Sequence, residues 1–350
     1  MYRERVGDVS LQPAGRMPRE VTGDVSGFTP RKLAVVAGST SWSLREAAIL
    51  RTVLYSSLFE YPLTLDELRR TLLQSGQSDA ELMRTYATSP LLQKSIEFQD
   101  GVFFPRGRSA WLAQRRRREI RSLAFLRRHE RLLRMISAIP FVRLVALSGS
   151  LAALNADRRA DLDLFVITKG RRAWMTTLLV VILTKLIGRR RLVCLNFVMS
   201  DDHMAIDQAD LFTANQMIHL RPVSGVETYR AFMQANDFVQ RFYPNFNPAA
   251  VESPLTVRLT ETAQRLKTAA EAILSVPSRA CEVLSRAVYG RYLRWRAASW
   301  TSPDQVQLSA SCLKLHTRSH RGSILERFDT ICRESFDAWR REKKEELSIP

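Results

Sequence analysis

Two aspartates separated by one residue, Asp161 and Asp163, have the residue type and the spacing that metal chemistry needs. They open an apolar stretch, residues 161–168, whose alternating pattern predicts a β-strand. Because side chains alternate across a strand, both carboxylates should lie on one face, about 7 Å apart along the chain. Paired carboxylates supply the hard oxygen ligands that Mg²⁺ prefers, so the pair predicts a metal site.

A glycine and a serine, Gly149 and Ser150, stand ten residues before this pair. They follow an apolar run of strand length, residues 142–147, and precede the start of a short helix. Glycine lets the backbone approach a phosphate closely, and a serine hydroxyl at a helix N-terminus can donate to phosphate oxygens. The pattern therefore predicts a triphosphate beside the metal. The alternative is that the acidic segment is only a polar strand edge beside neighbouring arginines.

The whole unit is a strand, Gly149-Ser150, a helix, a loop and then a strand that begins DLDL at Asp161. It resembles the DNA polymerase β-type nucleotidyltransferase superfamily over about residues 141–200. The resemblance implies a mixed sheet with flanking helices and Mg²⁺, or Mn²⁺, held by Asp161 and Asp163. It also implies an NTP substrate and transfer of a nucleoside monophosphate to an acceptor hydroxyl of RNA, a protein or a small molecule.

One position departs from that superfamily, whose members usually carry a third carboxylate on the next long strand. Here that strand spans residues 192–199, and its inward polar residue is Asn196, which cannot act as a base. Asn196 could position the metal, with substrate or water taking the proton. Asp201 or Asp202 could instead reach the site. The third alternative is a non-catalytic regulator that binds a nucleotide or nucleic acid without transferring it.

Two arginines, Arg171 and Arg172, follow the strand that carries the aspartates. We predict that they bind the nucleotide by neutralising triphosphate charge; the alternative is that they face water. His203 and His219 lack the paired spacing of a metal site, so we predict surface or core histidines there.

The region before the aspartates predicts three short helices and a hairpin over residues 43–107. Thr64 with Glu67 and Ser78 with Glu81 match the capping box of a helix start. Gly101 predicts a turn with positive φ between strands at 95–98 and 102–104. This order resembles a winged helix-turn-helix, whose third helix commonly binds DNA. Because that helix begins with acidic residues, docking to a protein is an equal alternative.

Eleven arginines are concentrated in residues 106–134, where Glu119 and Glu130 are the only acidic residues. Apolar residues recur between them at helical spacing and predict one connecting helix over 108–140, ended by Pro140. Such a cationic face could bind a nucleic-acid backbone, RNA more readily than DNA, although charge runs are commonly just solvated. The arginines are Arg106, Arg108, Arg115, Arg116, Arg117, Arg118, Arg121, Arg127, Arg128, Arg131 and Arg134.

Composition agrees with phosphate-rich partners without requiring them. Over 350 residues, 53 Lys and Arg against 35 Asp and Glu give a formal net charge of +18. Four widely spaced cysteines argue against a zinc cluster or disulfide scaffold and favour the reducing cytoplasm. The first 30 residues lack the apolar run of a signal peptide. The most apolar segment, residues 173–188, is shorter than a membrane span, so we predict a buried helix and no membrane role.

Together these patterns predict an α+β protein. It would have a flexible leader (1–42), a winged-helix-like domain (43–107), a basic connecting helix (108–140), a mixed-sheet nucleotidyltransferase core (141–225) and a mostly helical C-terminal domain (226–350). Helical periodicity in the last region covers residues 255–274 and 280–297. Lys314, His316, Arg318 and His320 alternate as on a strand, either to contact phosphate or as a polar edge.

Overall fold

The computed structural model describes residues 42–302, 305–315 and 320–348, with side chains through Arg341. The leader predicted for residues 1–42 lies outside the described residues except for Trp42. The described residues form one compact unit. The regions predicted as separate domains are therefore parts of one body.

The first three helices of the N-terminal part all begin with the same capping arrangement. Helix α1 (Leu44–Ser57), α2 (Leu65–Arg70) and α3 (Asp79–Thr88) each begin with a reciprocal capping box. The boxes at Thr64 and Ser78 were predicted, and a third joins Ser43 to Glu46. Each box satisfies backbone N–H groups that have no partner inside the helix.

A small antiparallel sheet completes this part. Its strands are β1 (Leu63–Thr64), β2 (Ile96–Gln99) and β3 (Val102–Pro105), in the order β1-β3-β2. The turn between β2 and β3 has positive φ at Asp100 and Gly101, as the hairpin pattern predicted. A helix that was not predicted, α4 (Pro90–Ser95), precedes β2 and is capped by Ser89.

The basic segment forms two helices, α5 (Ala110–Arg128) and α6 (Glu130–Ser137), so the prediction of one continuous helix is wrong. The break is at His129, which leaves helical geometry with φ −106° and ψ 10°. Its backbone N–H donates to the carbonyl oxygens of Phe125 and Leu126, and its Nδ1 lies 2.8 Å from the Phe125 carbonyl oxygen. The change of direction lets α6 pack against the central sheet.

Several arginines of α5 have partners distant in sequence, contrary to the expectation that most of this charge is unpaired. Arg115 forms two hydrogen bonds to the Glu67 carboxylate, at 2.8 and 2.9 Å. Arg118 donates to Glu60 at 3.0 Å. Within the described residues, the side chains of four arginines of the segment have no hydrogen bond, ion pair or ring contact: Arg117, Arg127, Arg128 and Arg131.

The central sheet has six strands. In spatial order they are β7 (Arg221–Ser224), β4 (Val142–Leu147), β5 (Leu162–Thr168), β6 (Val193–Ser200), β9 (Cys312–Leu315) and β8 (Val306–Leu308). Strands β4 (Val142–Leu147), β5 (Leu162–Thr168) and β6 (Val193–Ser200) agree with the predicted strands to within a residue. Strands β5 and β6 are parallel, whereas all other pairs are antiparallel. The parallel connection runs through the buried helix α8 (Ala173–Leu186), which follows the short helix α7 (Gly149–Ala152). The mixed α+β class is thereby confirmed.

The sheet is completed by distant parts of the chain. Strand β7 (Arg221–Ser224) pairs with β4, while β8 (Val306–Leu308) and β9 (Cys312–Leu315) extend the sheet beyond β6. A core boundary at residue 225 is therefore wrong. Pairing with β9 satisfies backbone groups of β6 that would otherwise be an open edge.

The remaining helices surround this sheet and the N-terminal part. They are α9 (Leu211–Ile218), α10 (Val226–Gln234), α11 (Val239–Phe242), α12 (Glu261–Leu274), α13 (Ser278–Arg296) and α14 (Arg321–Ser348). Two short 3-10 helices span Pro248–Ala250 and Ala297–Ser299. Helix α14 packs against α1, and its Phe336 lies edge-on against Trp42, just before α1, at 5.2 Å between ring centroids. No helix in the described ranges has the length and apolar character that crossing a membrane requires.

Of the predictions for the C-terminal region, one helix start is wrong, and the alternating basic segment lies partly outside the described residues. Helix α12 starts six residues later than predicted, because the backbone N–H of Val257 donates to the Val223 carbonyl oxygen and keeps this stretch extended. Lys314 lies on β9 as expected. His316 and Arg318 lie outside the described residues, and His320 directly precedes α14.

The junction of β7 and α10 generates a stability prediction. Gly225 has φ +81°, and a Cβ there would overlap the Arg143 carbonyl oxygen on β4. Gly188 also has positive φ, +66°, but a Cβ would meet open space. We expect Gly188→Ala to cost about 1–2 kcal/mol of unfolding free energy, for the left-handed backbone alone. Gly225→Ala should cost roughly 3 kcal/mol or more, because backbone must also move.

Urea unfolding of both variants measures the difference. Equal losses of stability would show that the close approach at Gly225 does not matter.

Candidate functional site

The bend after β4 and the carboxylate of Asp163 lie in direct contact. Gly149 has φ +64°, and a Cβ at this position would be only 2.5 Å from Asp163 Oδ2. The backbone also joins the two segments, since the N–H of Ser148 donates to the Asp163 carbonyl oxygen at 2.9 Å. The carboxylate thus faces the bend, as the sequence predicted, and this approach is possible because residue 149 has no side chain.

Ser150 lies exposed at the start of α7 beside this contact. Its carbonyl oxygen accepts a hydrogen bond from the backbone N–H of Asn155 at 2.8 Å. The Asn155 side chain in turn donates to the Phe59 carbonyl oxygen at 2.9 Å and accepts from Arg118 at 3.2 Å. These bonds fix the loop after the Gly149-Ser150 bend against the N-terminal part of the molecule.

Asp161, Asp163 and Cys194 form a cluster in which one potential ligand atom from each lies within 4.8 Å of the others. Asp163 and Cys194 are directly paired in the parallel register of β5 and β6. Neither aspartate forms an ion pair with any described residue, so their charge remains available to a cation. The two carboxylates suit Mg²⁺ or Mn²⁺.

Cys194 was not predicted as a site residue, since in sequence it is only an isolated cysteine. Its place two residues before Asn196, and therefore on the same strand face, was the signal available. Burial, followed by repulsion from Asp163 and Asp161, raises the pKa of the Cys194 thiol to about 12. It therefore stays protonated at neutral pH and acts as a donor while no cation is bound.

Asn196 holds the Asp163 carboxylate from the other side. Its Nδ2 donates to Asp163 Oδ1 at 2.9 Å, and its Oδ1 accepts from the Cys194 thiol at 3.1 Å. A register shift between β5 and β6 leaves Asn196 opposite no residue of β5, because Leu164 pairs with Leu195 and Phe165 with Phe197. This irregularity is what brings the amide to the carboxylate.

The environment of Asp163 disfavours its charged form. Desolvation by burial is the largest cause, and the neighbouring Asp161 adds to it. The hydrogen bond from Asn196 opposes the shift only in part, so the pKa of Asp163 is raised to about 6. A cation at the pair would relieve this cost, because it replaces repulsion between carboxylates by attraction to a positive charge.

Arg171 and Arg172 are not near this cluster, so their predicted contact with the nucleotide is not supported. They follow the far end of β5, and Thr168 alone is about 17 Å along the strand from Asp163. Arg172 donates to Ser278 Oγ at 3.0 Å and lies over the Phe141 ring. Arg171 instead pairs with an aspartate at the surface, 3.4 Å away.

Asp201 and Asp202, the two aspartates considered as alternatives to Asn196, also lie at the end of β5 that is far from the cluster. Asp201 Oδ1 accepts from the backbone N–H of Gly170 at 2.7 Å, and Asp202 is the partner of Arg171. Both follow β6, whose last residue, Ser200, is paired with Thr168. The interpretation in which either aspartate reaches the cluster is therefore wrong. Asn196 is the residue of β6 that contacts the Asp163 carboxylate.

A cationic cavity adjoins the loop that leads to Asp161. It has a volume of about 500 Å³. Five arginines and a single acidic residue line it: Arg117, Arg118, Arg121, Arg158, Arg159 and Asp157. Asp157 pairs with Arg118 at 3.5 Å. Most of the positive charge in the cavity is thus not neutralised by the cavity itself.

The raised pKa of Asp163 generates a pH prediction. An unfolded aspartate has a pKa of about 3.9, so the folded state binds the extra proton between that value and about 6. Stability should consequently fall as pH rises through this window. Asp163→Asn removes the titrating group, so the variant should not lose stability across this window. The melting temperature of the variant minus that of wild type should therefore rise by about 2–4 °C from about pH 4.5 to about pH 7.5.

The measurement is thermal unfolding in the presence of a chelator. A difference between variant and wild type that does not change with pH would contradict the raised pKa.

Comparison with known proteins adds no family to this geometry. The chain has no significant match among protein-family models, curated proteins or solved structures.

Proposed function

We propose that this protein is a metal-dependent nucleotidyltransferase that moves a nucleoside monophosphate from an NTP to an acceptor hydroxyl and releases pyrophosphate. One observation carries the proposal: the Asp163 carboxylate lies directly against the Gly149 bend. A cation held by Asp161 and Asp163 would therefore be beside phosphates bound at Gly149 and Ser150. The strand order, with β4 antiparallel and β6 parallel to β5, also supports it.

Different residues of the site would bind the triphosphate, hold the metal ion and orient its ligand. Backbone N–H groups at Gly149 and the start of α7, with the Ser150 hydroxyl, would bind and orient the triphosphate. Asp161 and Asp163 would hold Mg²⁺ or Mn²⁺, and Asn196 would fix the orientation of Asp163. When bound, such an ion lowers the energy of charge that develops on phosphate oxygens.

A regulator that binds a nucleotide without transferring it is the second candidate. The specific observation in its favour is Asn196, which occupies the place of a third carboxylate and already donates to Asp163. An amide provides no proton acceptor at neutral pH. In the transferase, the acceptor's proton would have to leave to water or to the substrate itself.

We propose a nucleic-acid acceptor, RNA more readily than DNA, in a cytoplasmic setting. The cationic cavity supports this, because Arg158 and Arg159 are only three and two residues from Asp161 in the chain. Arg117, Arg121 and Arg128 also lie within about 40° on one face of α5, at 100° per residue. They would extend a phosphate-binding surface from the cavity along about 16 Å of helix.

Label transfer tests the function itself. Incubation with α-labelled ATP, GTP, CTP or UTP, Mg²⁺ or Mn²⁺ and total RNA or protein should label an acceptor. Asp161→Ala and Asp163→Ala should each reduce transfer on the order of 1000-fold, because the metal is lost. Nucleotide binding without transfer under any of these conditions would support the regulator and contradict the transferase.

The bend can be tested with a matched pair of glycines. Gly149→Ala would push Asp163 Oδ2 away, and Gly107→Ala adds a Cβ to open space at a similar φ of +78°. We expect Gly149→Ala to reduce transfer about 100-fold, because displaced catalytic groups lose alignment. Gly107→Ala should retain transfer. Full activity in Gly149→Ala would contradict the proposed contact between metal and triphosphate.

The acceptor surface can be tested through its salt dependence. The double variant Arg158→Ala/Arg159→Ala should weaken RNA binding. It should also reduce the slope of log affinity against log salt concentration by about two, because each arginine that neutralises a phosphate adds about one to that slope. Arg265→Ala/Arg279→Ala, which removes two arginines outside the cavity, is the control. An unchanged slope in the first variant would contradict the proposed nucleic-acid contact.

A further inference from the structure

Helix α13 (Ser278–Arg296) carries an apolar stripe that faces solvent. Leu284, Val288, Tyr292 and Trp295 are between 45% and 75% exposed. At 100° per residue these four positions lie within about 80° of one another, so the stripe follows one side of the helix for about 16 Å. Large apolar side chains grouped on an exposed helix face mark a surface that another molecule covers.

A different side of α13 already packs inside the protein. Glu282 accepts hydrogen bonds from the backbone N–H groups of Trp174 and Met175, at 3.0 and 2.8 Å, where α8 begins. Tyr289 and Leu293 are buried on the same side as Glu282. The stripe is therefore a second face of the helix, separate from the one that the fold uses.

The exposed charge on α13 is entirely positive. Its single acidic residue, Glu282, is the buried one that binds the start of α8. On the helical wheel, Arg291 borders the Leu284 edge of the stripe and Arg296 borders the Tyr292 edge. Five arginines of the helix are exposed, and none forms an ion pair with a described residue: Arg279, Arg286, Arg291, Arg294 and Arg296.

Helix α8, which packs against α13, shows the same combination of side chains. Its Ile182 and Leu186 are exposed, the second to 80%. Residues 173–191 contain no aspartate or glutamate, but they contain Lys185 and three consecutive arginines at 189–191. Two neighbouring helices thus combine exposed apolar side chains with positive charge and no exposed acidic group.

We propose that the stripe of α13 and its arginines bind the surface of an anionic lipid membrane. The apolar side chains enter the boundary between headgroups and acyl chains, and the flanking arginines contact lipid phosphates. The apolar length that argues against a membrane span has no bearing on this contact, because α13 lies along the bilayer and does not cross it. The inference does not depend on the proposed transferase.

Charge and side-chain type argue against two other occupants. A second copy packed stripe to stripe would bring five arginines towards five arginines, and this repulsion costs free energy. A nucleic acid could pair with the arginines and stack on Tyr292 and Trp295, but it would leave Leu284 and Val288 in water. An anionic bilayer supplies both the negative charge and the apolar layer that this face requires.

Vesicle flotation of the full chain tests the proposal. Vesicles of phosphatidylcholine alone are compared with vesicles that also contain phosphatidylglycerol, and we expect tight binding only to the second kind. Leu284→Ser/Val288→Ser should weaken it about tenfold or more, because two apolar side chains no longer leave water. Leu44→Ser/Ile120→Ser is the matched control, since Leu44 and Ile120 are 67% and 69% exposed but lie on α1 and α5. It should bind as wild type does.

Two further variants separate the charge from the apolar contact. Arg291→Gln/Arg296→Gln should weaken binding to the anionic vesicles roughly fivefold for each arginine at low salt, and this difference should shrink as salt is added. Vesicles should shift the tryptophan emission of wild type to shorter wavelength, and Trp295→Phe should reduce that shift. All these side chains are exposed, so each variant should melt at the wild-type temperature.

The proposal is overturned if the chain does not float with anionic vesicles, or if Leu284→Ser/Val288→Ser floats as wild type does. Loss of RNA binding in that variant with unchanged flotation would assign the stripe to nucleic acid instead. A dimer that wild type forms and the variant loses, without flotation of either, would assign the stripe to a second copy of the chain.

Discussion

The contact between the Gly149 backbone and the Asp163 carboxylate sets the geometry of the rest of the site. It requires a residue without a side chain at the bend, and it places β4 and β5 so that their ends meet there. The carboxylate is partly desolvated, which raises its pKa. Asn196 limits that cost by donating to Oδ1 while Oδ2 faces the bend.

Features fixed by neighbouring residues could be predicted from the sequence. The three central strands, the closeness of the Asp161 and Asp163 carboxylates, and the capping boxes at Thr64 and Ser78 all follow from local spacing. The positive φ at Gly101 follows from turn chemistry in the same way. Each depends on interactions within a few residues, for which periodicity and capping rules are sufficient.

Features fixed by distant partners could not be predicted. The approach of Cys194 to Asp163 depends on the register of β5 and β6, and the pairing of Arg115 with Glu67 joins residues far apart in the chain. The break at His129 is decided by the packing of α6 on the sheet, which overrides helix propensity. A cavity between α1 and α9 forms only where two separate segments meet, so no local pattern in the sequence could predict it.

The position of β9 beside β6 has a consequence for how the chain is made. During synthesis, β6 emerges more than a hundred residues before the strand that covers its edge. Until then its unpaired N–H and C=O groups are open to association with other chains. Any fragment intended to reproduce the site must therefore retain residues 306–315, so that the edge of β6 stays covered.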